Sequence, residues 1–313
     1  MAIELRDATG TVIPVTFMQF SGGERHVQLT ADDVTALNGN VYVRAQMLCS
    51  NDVMDYLLLE NVLLAQGLTV YLEVPYFPYA RQDRACAVGQ AFSLDIMTRL
   101  LAINANQTQG SQAEIVVWDC HSSVTTALLN ANSGFQAMRN IGSVEIIRQC
   151  AVLTDILSTE DCVLICPDKG AKARTESIAA GFADLRSSPL PIIYCDKQRD
   201  PSTGKILRAK VNASDLSGKT CVLTDDICDG GATFVGIAEA LRELNCEHVV
   251  LYVTHGIFSK GLGVFAGLID QIFTSDSLPQ GVQADSDLLT VIPFNGTTIE
   301  TSTPVNAQSG EQS

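Results

Sequence analysis

Two adjacent carboxylates, Asp225 and Asp226, close the apolar run Cys221-Val-Leu-Thr, and Asp229-Gly230-Gly231-Ala232-Thr233 follows a few residues on. A helical pattern begins there, with Phe234, Ile237, Ala238, Leu241 and Leu244 on one face. Backbone N–H groups of a Gly-rich turn that opens a helix can hold a phosphate. Asp225 and Asp226 would repel that phosphate, whereas the vicinal hydroxyls of a sugar are donors and would suit them. Glycines alone would fit an ordinary βα turn equally well. The acid pair together with Asp229 and Thr233 favours a site for a phosphorylated ribose, with Asp225 and Asp226 on the hydroxyls and residues 229–233 on the phosphate.

Other residues could supply the remaining chemistry. In Pro75-Tyr-Phe-Pro-Tyr-Ala-Arg-Gln-Asp-Arg84, two prolines among three aromatics stiffen a segment that ends in Arg81, Gln82 and Arg84. Guanidinium groups pair phosphate oxygens in a fork or lie over an adenine ring, although a structural aromatic corner with a solvated end would look the same. His121 follows an apolar run and Asp168 follows Pro167. Both are donors that could serve Mg²⁺, which keeps much of its water and takes few protein groups. A hydrogen-bonded core histidine and a turn-forming aspartate are the plainer readings. Lys197 and Arg199 stand among Asp196, Asp200, Pro201 and Gly204, in what reads as an exposed loop. Were it to close over a site, two cations would meet the charge developing on a transferred phosphoryl group. Lys172 and Arg174 read as charges at a helix start.

Elements that could position these groups alternate along the chain. Strands are expected over 12–20, 26–29, 41–48, 69–74, 114–118, 162–166, 191–195, 248–254 and near 270–273. Helices are expected over 53–66 (capped by Asn51-Asp52), 94–103 (capped by Ser93), 145–157 and near 260–267. Alternation of this kind predicts an α/β fold of two similar domains, each a mainly parallel sheet flanked by helices, with ligands at the carboxyl ends of strands. The first domain spans 1–143 and carries the Pro75–Arg84 segment; the second spans 144–294 and carries the Gly-rich turn; 295–313 is a polar tail.

With 313 residues, 46% of them hydrophobic and 18% charged, the chain can bury a large core. A net charge of −15 disfavours a nucleic-acid partner, so any nucleotide must be met by local cations or metal ions. No apolar run reaches the roughly 18 residues of a membrane span, and Met1–Asp7 lacks the basic region and apolar core of a signal peptide. The ten cysteines are scattered, form no Cys-x-x-Cys, and read as reduced core thiols. A cytoplasmic protein without a membrane partner is expected.

The run from Cys221 to Thr233 resembles the fingerprint of the type I phosphoribosyltransferases. Val74-Pro-Tyr-Phe-Pro-Tyr-Ala-Arg-Gln-Asp-Arg84 resembles the ATP-binding signature of one branch of that fold, the ribose-phosphate pyrophosphokinases, which make phosphoribosyl pyrophosphate (PRPP). Asp119-Cys-His121, Pro167-Asp168 with Gly170-Ala-Lys, Lys197-Gln-Arg199 and Thr254-His-Gly-Ile-Phe-Ser259 are similar to further motifs of the family, in its order. Phe20-Ser-Gly-Gly-Glu24 and Asn51-Asp52 also match its spacing. These matches run from about Phe20 to Ser277 and cover most of the chain.

The resemblance implies a Mg²⁺-dependent transfer of the pyrophosphoryl group of ATP to the C1 hydroxyl of ribose 5-phosphate. It places Phe20, Gly22, Glu24, Arg81, Gln82, Arg84 and His121 at ATP, and Asp225, Asp226 and Asp229–Thr233 at ribose 5-phosphate. His121 and Asp168 fall at the metal, and Lys197, Arg199 and His121 in the catalytic set. It further implies a homo-oligomer built from dimers, up to a hexamer, with an ATP site completed across subunits. The sequence departs from the family at Gly22, where Asp or Asn is usual, at Val124, where Gln is usual, at Ala232, where Gly is common, and over Cys86–Gln90, which lacks a basic run. Two alternatives stay open: a type I transferase that consumes PRPP, and a non-catalytic partner of an active synthetase.

Overall fold

The computed structural model describes residues 3–105, 109–199, 206–281 and 286–294, without the side chains of 197–199 and 206–209. The expected polar tail and the Asp200–Gly204 part of the expected loop lie outside the described residues.

The first half contains β1 (Ile3–Arg6), β2 (Val12–Ile13), β3 (Thr16–Gln19), β4 (Arg25–Gln28), α1 (Ala31–Ala36), β5 (Asn40–Ala45), α2 (Ser50–Ala65), β6 (Thr69–Val74), α3 (Ser93–Leu100), β7 (Ser111–Trp118), α4 (Ser123–Asn132) and β8 (Ala137–Ile141). One sheet runs β2-β1-β5-β6-β7-β8. Its strands β5 to β8 are parallel, and β1 is antiparallel to both of its neighbours. Strands β3 and β4 form a separate hairpin. Its turn end is tied to α2 by an ion pair between Arg25 and the buried Asp55.

The second half contains α5 (Ser143–Ile147), α6 (Ala151–Ser158), β9 (Cys162–Cys166), α7 (Lys172–Gly181), β10 (Ile192–Arg199), β11 (Ile206–Val211), β12 (Thr220–Cys228), α8 (Ala232–Glu243), β13 (His248–Gly256), β14 (Gln271–Ser275) and β15 (Leu289–Ile292). Its sheet runs β11-β10-β9-β12-β13-β14-β15, and all pairs are parallel except β10 with β11. The chain order reverses direction between β9 and β12. A crevice opens beyond the carboxyl ends of strands at such a switch point.

These strands form because the runs that build them can be buried on both faces. β9 is Cys-Val-Leu-Ile-Cys with every residue buried, the pattern of an interior parallel strand. Along β12, Cys221 and Leu223 face one apolar cluster while Val222 faces another. That second cluster also takes Val116, Trp118 and Ile141 from the first sheet, and Phe273 and Phe294 from the end of the second half. The junction between the sheets is therefore hydrocarbon on one side and polar on the other. At the polar side, Arg44 lies over the Trp118 ring and reaches Asp276, at 3.0 Å, and the Phe294 carbonyl.

Several expectations need correction. Helix 145–157 is broken into α5 and α6, and the expected helix near 260–267 is a 3₁₀ turn over Leu262–Phe265. Ser93 begins α3 rather than capping it; its hydroxyl donates instead to Gln82 Oε1 at 2.6 Å. Asn51 and Asp52 lie inside α2, where Asp52 accepts from the N–H groups of Leu48 and Cys49. The expected strand 191–195 continues to Arg199 because β11 pairs with it, so Lys197 and Arg199 belong by backbone to a strand rather than a loop. All ten cysteines are free, with Cys162, Cys166, Cys195, Cys221, Cys228 and Cys246 buried. No helix among the described residues is long and apolar enough to cross a membrane.

Candidate active site

β12 does not end at its acids. It pairs with β13 through Asp225↔Val253, Ile227↔His255 and Cys228↔Gly256, so Asp225 and Asp226 are held by a ladder rather than by a turn. The turn comes afterwards. Gly231, at φ +78°, is the N-cap of α8, and its conformation lets the helix start directly beneath the loop. A Cβ at Gly231 would lie 2.6 Å from Phe265 Cζ, so the chain also approaches that ring too closely for a side chain. Asp229, Ala232 and Thr233 are exposed around this turn.

A cavity of about 1090 Å³ opens beside the acid pair. The second half lines it with Asp168, Arg174, Asp225 and Asp226, and the first half with His121 and Asn140, among others. The turn after β7 crosses the junction to bring His121 Nδ1 to 2.7 Å from Asp226 Oδ2. This hydrogen bond raises the His121 pKa, with burial opposing it. Burial works against ionisation of Asp226, yet the bond to His121 and the charge of Arg174 hold its carboxyl below the usual range. Asp225 moves the other way, raised by burial and by the neighbouring Asp226 charge.

Arg174 is the residue that sequence reasoning missed. Far from being a solvated helix-start charge, its side chain is only 10% exposed, and its Nε donates to both carboxylate oxygens of Asp119 at 2.8 and 2.9 Å. Asp119 also accepts from Ser143 Oγ at 2.8 Å and Thr254 Oγ1 at 2.6 Å. Nothing local in the sequence shows that a carboxylate far away along the chain will meet it.

The Pro75–Arg84 segment folds with Phe77 and Ala80 buried and with the Tyr76 ring edge-on to the buried His255, 5.1 Å between centroids. His255 is fixed by Ser277 Oγ at 2.8 Å and the Trp118 carbonyl at 3.1 Å, and burial lowers its pKa. This packing leaves Arg81 at the edge of the Gly-rich loop, where its Nη1 donates to Asp229 Oδ2 at 3.3 Å. Ser259 Oγ donates to the other Asp229 oxygen at 2.6 Å, the larger cause of that carboxyl's lowered pKa. Gln82 is bound to Ser93, while Arg84 is largely exposed and lies 4.0 Å from Asp83. Phe20, Gly22 and Glu24 are exposed at the tip of the β3–β4 hairpin and are not part of the cavity lining. The Glu24 carboxylate folds over Gly22, 2.5 Å from where a Cβ would stand. The side chains of Lys197 and Arg199 lie outside the described ones.

For a metal ion, the oxygen donors Asp168, Asp225 and Asp226 share one cavity, which suits Mg²⁺ with its retained waters. Among the described residues, no group of three or more His, Cys, Asp or Glu is already gathered as a metal site. Asp168 Oδ1 accepts from the N–H groups of Gly170 and Ala171 at 2.9 and 3.3 Å. His121 could ligate only as a neutral ring, while its bond to Asp226 favours the protonated one.

Residues 143–266 match the phosphoribosyl transferase domain family. The phosphoribosylpyrophosphate synthetase of Mycobacterium smegmatis superposes with a TM-score of 0.72 at 23% identity, covering 91% of this chain and 88% of that one. The fold is thus that of the type I phosphoribosyltransferases: mainly parallel sheets flanked by helices, with a site at the switch point. In sequence, the chain is 27% identical over 284 residues to the ribose-phosphate pyrophosphokinase of Thermococcus kodakarensis, covering 89% of this chain and 91% of that relative. It is 28% identical over 298 residues to the enzyme of the same name from Corynebacterium efficiens, covering 92% and 84%. Over most of its length, the chain is thus similar to enzymes named ribose-phosphate pyrophosphokinase.

Proposed function

We propose that the chain transfers the β,γ-pyrophosphoryl group of ATP to the C1 hydroxyl of ribose 5-phosphate, giving PRPP and AMP. The observation that carries this reading is the meeting of two motifs at one edge: Arg81 of the aromatic segment contacts Asp229 of the Gly-rich loop at 3.3 Å. A nucleotide on Arg81 and a sugar phosphate on residues 229–233 would be neighbours. A transferase that consumes PRPP has no need of that nucleotide segment.

In this reading, the N–H groups at the start of α8 bind the 5-phosphate, and Asp225 and Asp226 accept from the ribose hydroxyls. The C1 oxygen attacks the β-phosphorus, the bond from that phosphorus to the oxygen bridging to the α-phosphate breaks, and the C1 hydroxyl proton leaves to solvent. AMP departs with the bridging oxygen. Arg81, His121, Lys197 and Arg199 offset the charge on the phosphates, and fixed placement supplies most of the rate. Asp168 would hold Mg²⁺, with His121 beside it, and the ion would neutralise phosphate charge when bound.

The nucleotide segment belongs in this scheme to a domain over 1–143 and the ribose loop to one over 144–294. Phe20, Gly22 and Glu24, remote from the cavity lining, would serve ATP in a neighbouring copy of a cytoplasmic homo-oligomer. The deciding assay follows AMP, ADP and PRPP from ATP and ribose 5-phosphate with Mg²⁺. Equimolar AMP and PRPP are expected. ADP in place of AMP, or nucleotide binding without any turnover, refutes the proposal.

A further inference from the structure

The guanidinium of Arg174 uses each of its three nitrogens on a different part of the site. Nε holds the Asp119 carboxylate, Nη2 donates to the Cys120 carbonyl at 3.4 Å, and Nη1 stands 3.5 Å from Asp225 Oδ1 and 3.7 Å from Asp226 Oδ1. Asp119 and Cys120 are the two residues before His121, whereas Asp225 and Asp226 are on the strand that His121 meets. One side chain on α7 therefore touches both Asp226 and the turn that carries His121, which come from different halves.

The turn needs such a clamp. Asp119 has φ +37°, in the left-handed region that residues with a Cβ seldom occupy. Asp119 is 6% exposed, so its charge must be met inside the protein. On one side β8 restrains the turn, with Asp119 N–H donating to the Ile141 carbonyl at 2.7 Å and Cys120 N–H to Asn140 Oδ1 at 3.1 Å. On the other side Arg174, Ser143 and Thr254 take the carboxylate. Of these, only Arg174 also reaches the acid pair.

We propose that Arg174 is a positioning residue: it fixes the His121-bearing turn of the first half at its working distance from the Asp225–Asp226 pair of the second. This rests on the functional reading above for its kinetic test, but not for its structural one. A lysine keeps the charge and cannot reproduce the fork, because a point ammonium has no rigid set of three nitrogens. The inference is thus about geometry more than charge, and Arg174→Lys is the discriminating variant.

The experiment compares wild type with Arg174→Lys, Arg174→Gln, Asp119→Asn and the double variant Asp119→Asn/Arg174→Gln, each checked for folding by circular dichroism and thermal melting. With the wild type forming AMP and PRPP, kcat of the folded Lys and Gln variants falls about 100-fold, as expected for a displacement of order 1 Å, while the KM for ATP changes little. The double variant is no worse than Arg174→Gln alone. A kcat near wild type in folded Arg174→Lys and Arg174→Gln, or losses that simply add, overturns the inference. If neither Arg174 variant folds, Ser143→Ala, which removes one hydroxyl from Asp119 and no charge, replaces them: a lower kcat supports the inference and an unchanged one overturns it. If the wild type makes no PRPP, the functional reading fails separately. Crystal structures of wild type and Arg174→Lys, or of Ser143→Ala where the lysine variant does not fold, then decide: a wider His121–Asp226 separation in the variant supports the clamp, and an unchanged one refutes it.

Discussion

Replacing Gly231 by alanine should be among the more damaging single-methyl additions in this protein. The backbone there is at φ +78°, where alanine is disfavoured by about 1–2 kcal/mol. The new Cβ would lie 2.6 Å from Phe265 Cζ and 2.8 Å from Cε1. Phe265 is buried and packs edge-on against Phe258, with centroids 6.2 Å apart, so its ring has little room to retreat. Overpacking of this kind costs about 1–3 kcal/mol. Alanine restricts the unfolded chain and returns about 0.4–1 kcal/mol. The net loss is about 2–4 kcal/mol, which for a chain of this size lowers Tm by roughly 3–6 °C. Gly230→Ala is the internal control, because its Cβ would meet only Lys260 side-chain carbons at 3.5 Å or more and its φ lies outside the left-handed region. It should stay within about 0.5 kcal/mol of wild type. Urea titration with comparison of m-values, supported by thermal scans, measures both. A Gly231→Ala variant as stable as wild type, or a Gly230→Ala variant that loses as much, would refute the reasoning.

Asp226→Ala should raise the KM for ribose 5-phosphate by at least about tenfold while the KM for ATP moves far less; equal loss on both substrates would contradict the assignment of the acid pair to the sugar. Lys197→Ala should lower kcat by about 10²–10³-fold with the KM for ATP largely spared, as for a cation that acts in the transition state; an unchanged kcat removes Lys197 from the mechanism. Stability should also depend on pH through the His121–Asp226 pair. The His121 pKa is raised, so its contribution is complete below the ordinary histidine value and is lost as pH rises through the folded one. The Asp226 pKa is lowered, so its contribution is present above the ordinary carboxylate value and is lost as pH falls through the folded one. The stability difference between wild type and His121→Gln, followed by urea titration across pH, should therefore shrink on the alkaline side; a difference that grows there would reverse the assigned sign.

What could be read from the chain depended on how local the cause was. β6 and β9 match their expected ranges because Thr-Val-Tyr-Leu-Glu-Val and Cys-Val-Leu-Ile-Cys carry their own signal of burial. The Gly-rich turn was legible because Gly230-Gly231 precedes a clear helical face. β12 ran past its expected end because the ladder to His255 and Gly256 outweighs the poor strand propensity of two aspartates. β10 lengthened for a similar reason, its extra residues being supported by β11. α4 and β8 were overlooked: Ser123–Asn132 has few large apolar residues, and Ala137–Ile141 is an edge strand of mixed polarity. Arg174 was misjudged because a charge near a helix start is usually solvated, and only the tertiary approach of Asp119 makes it an interior residue.

Trp118, Val116 and Ile141 share one apolar cluster with Val222, Phe273 and Phe294, and this has a mechanical consequence. Paired lobes commonly swing against each other, unless a broad greasy seam makes separation expensive. Here any wide swing would wet the indole and its neighbours. Admission and release of reactants must therefore rely on side chains and short segments at the mouth, and the span across the crevice is set once, when the polypeptide folds, rather than afresh in every cycle.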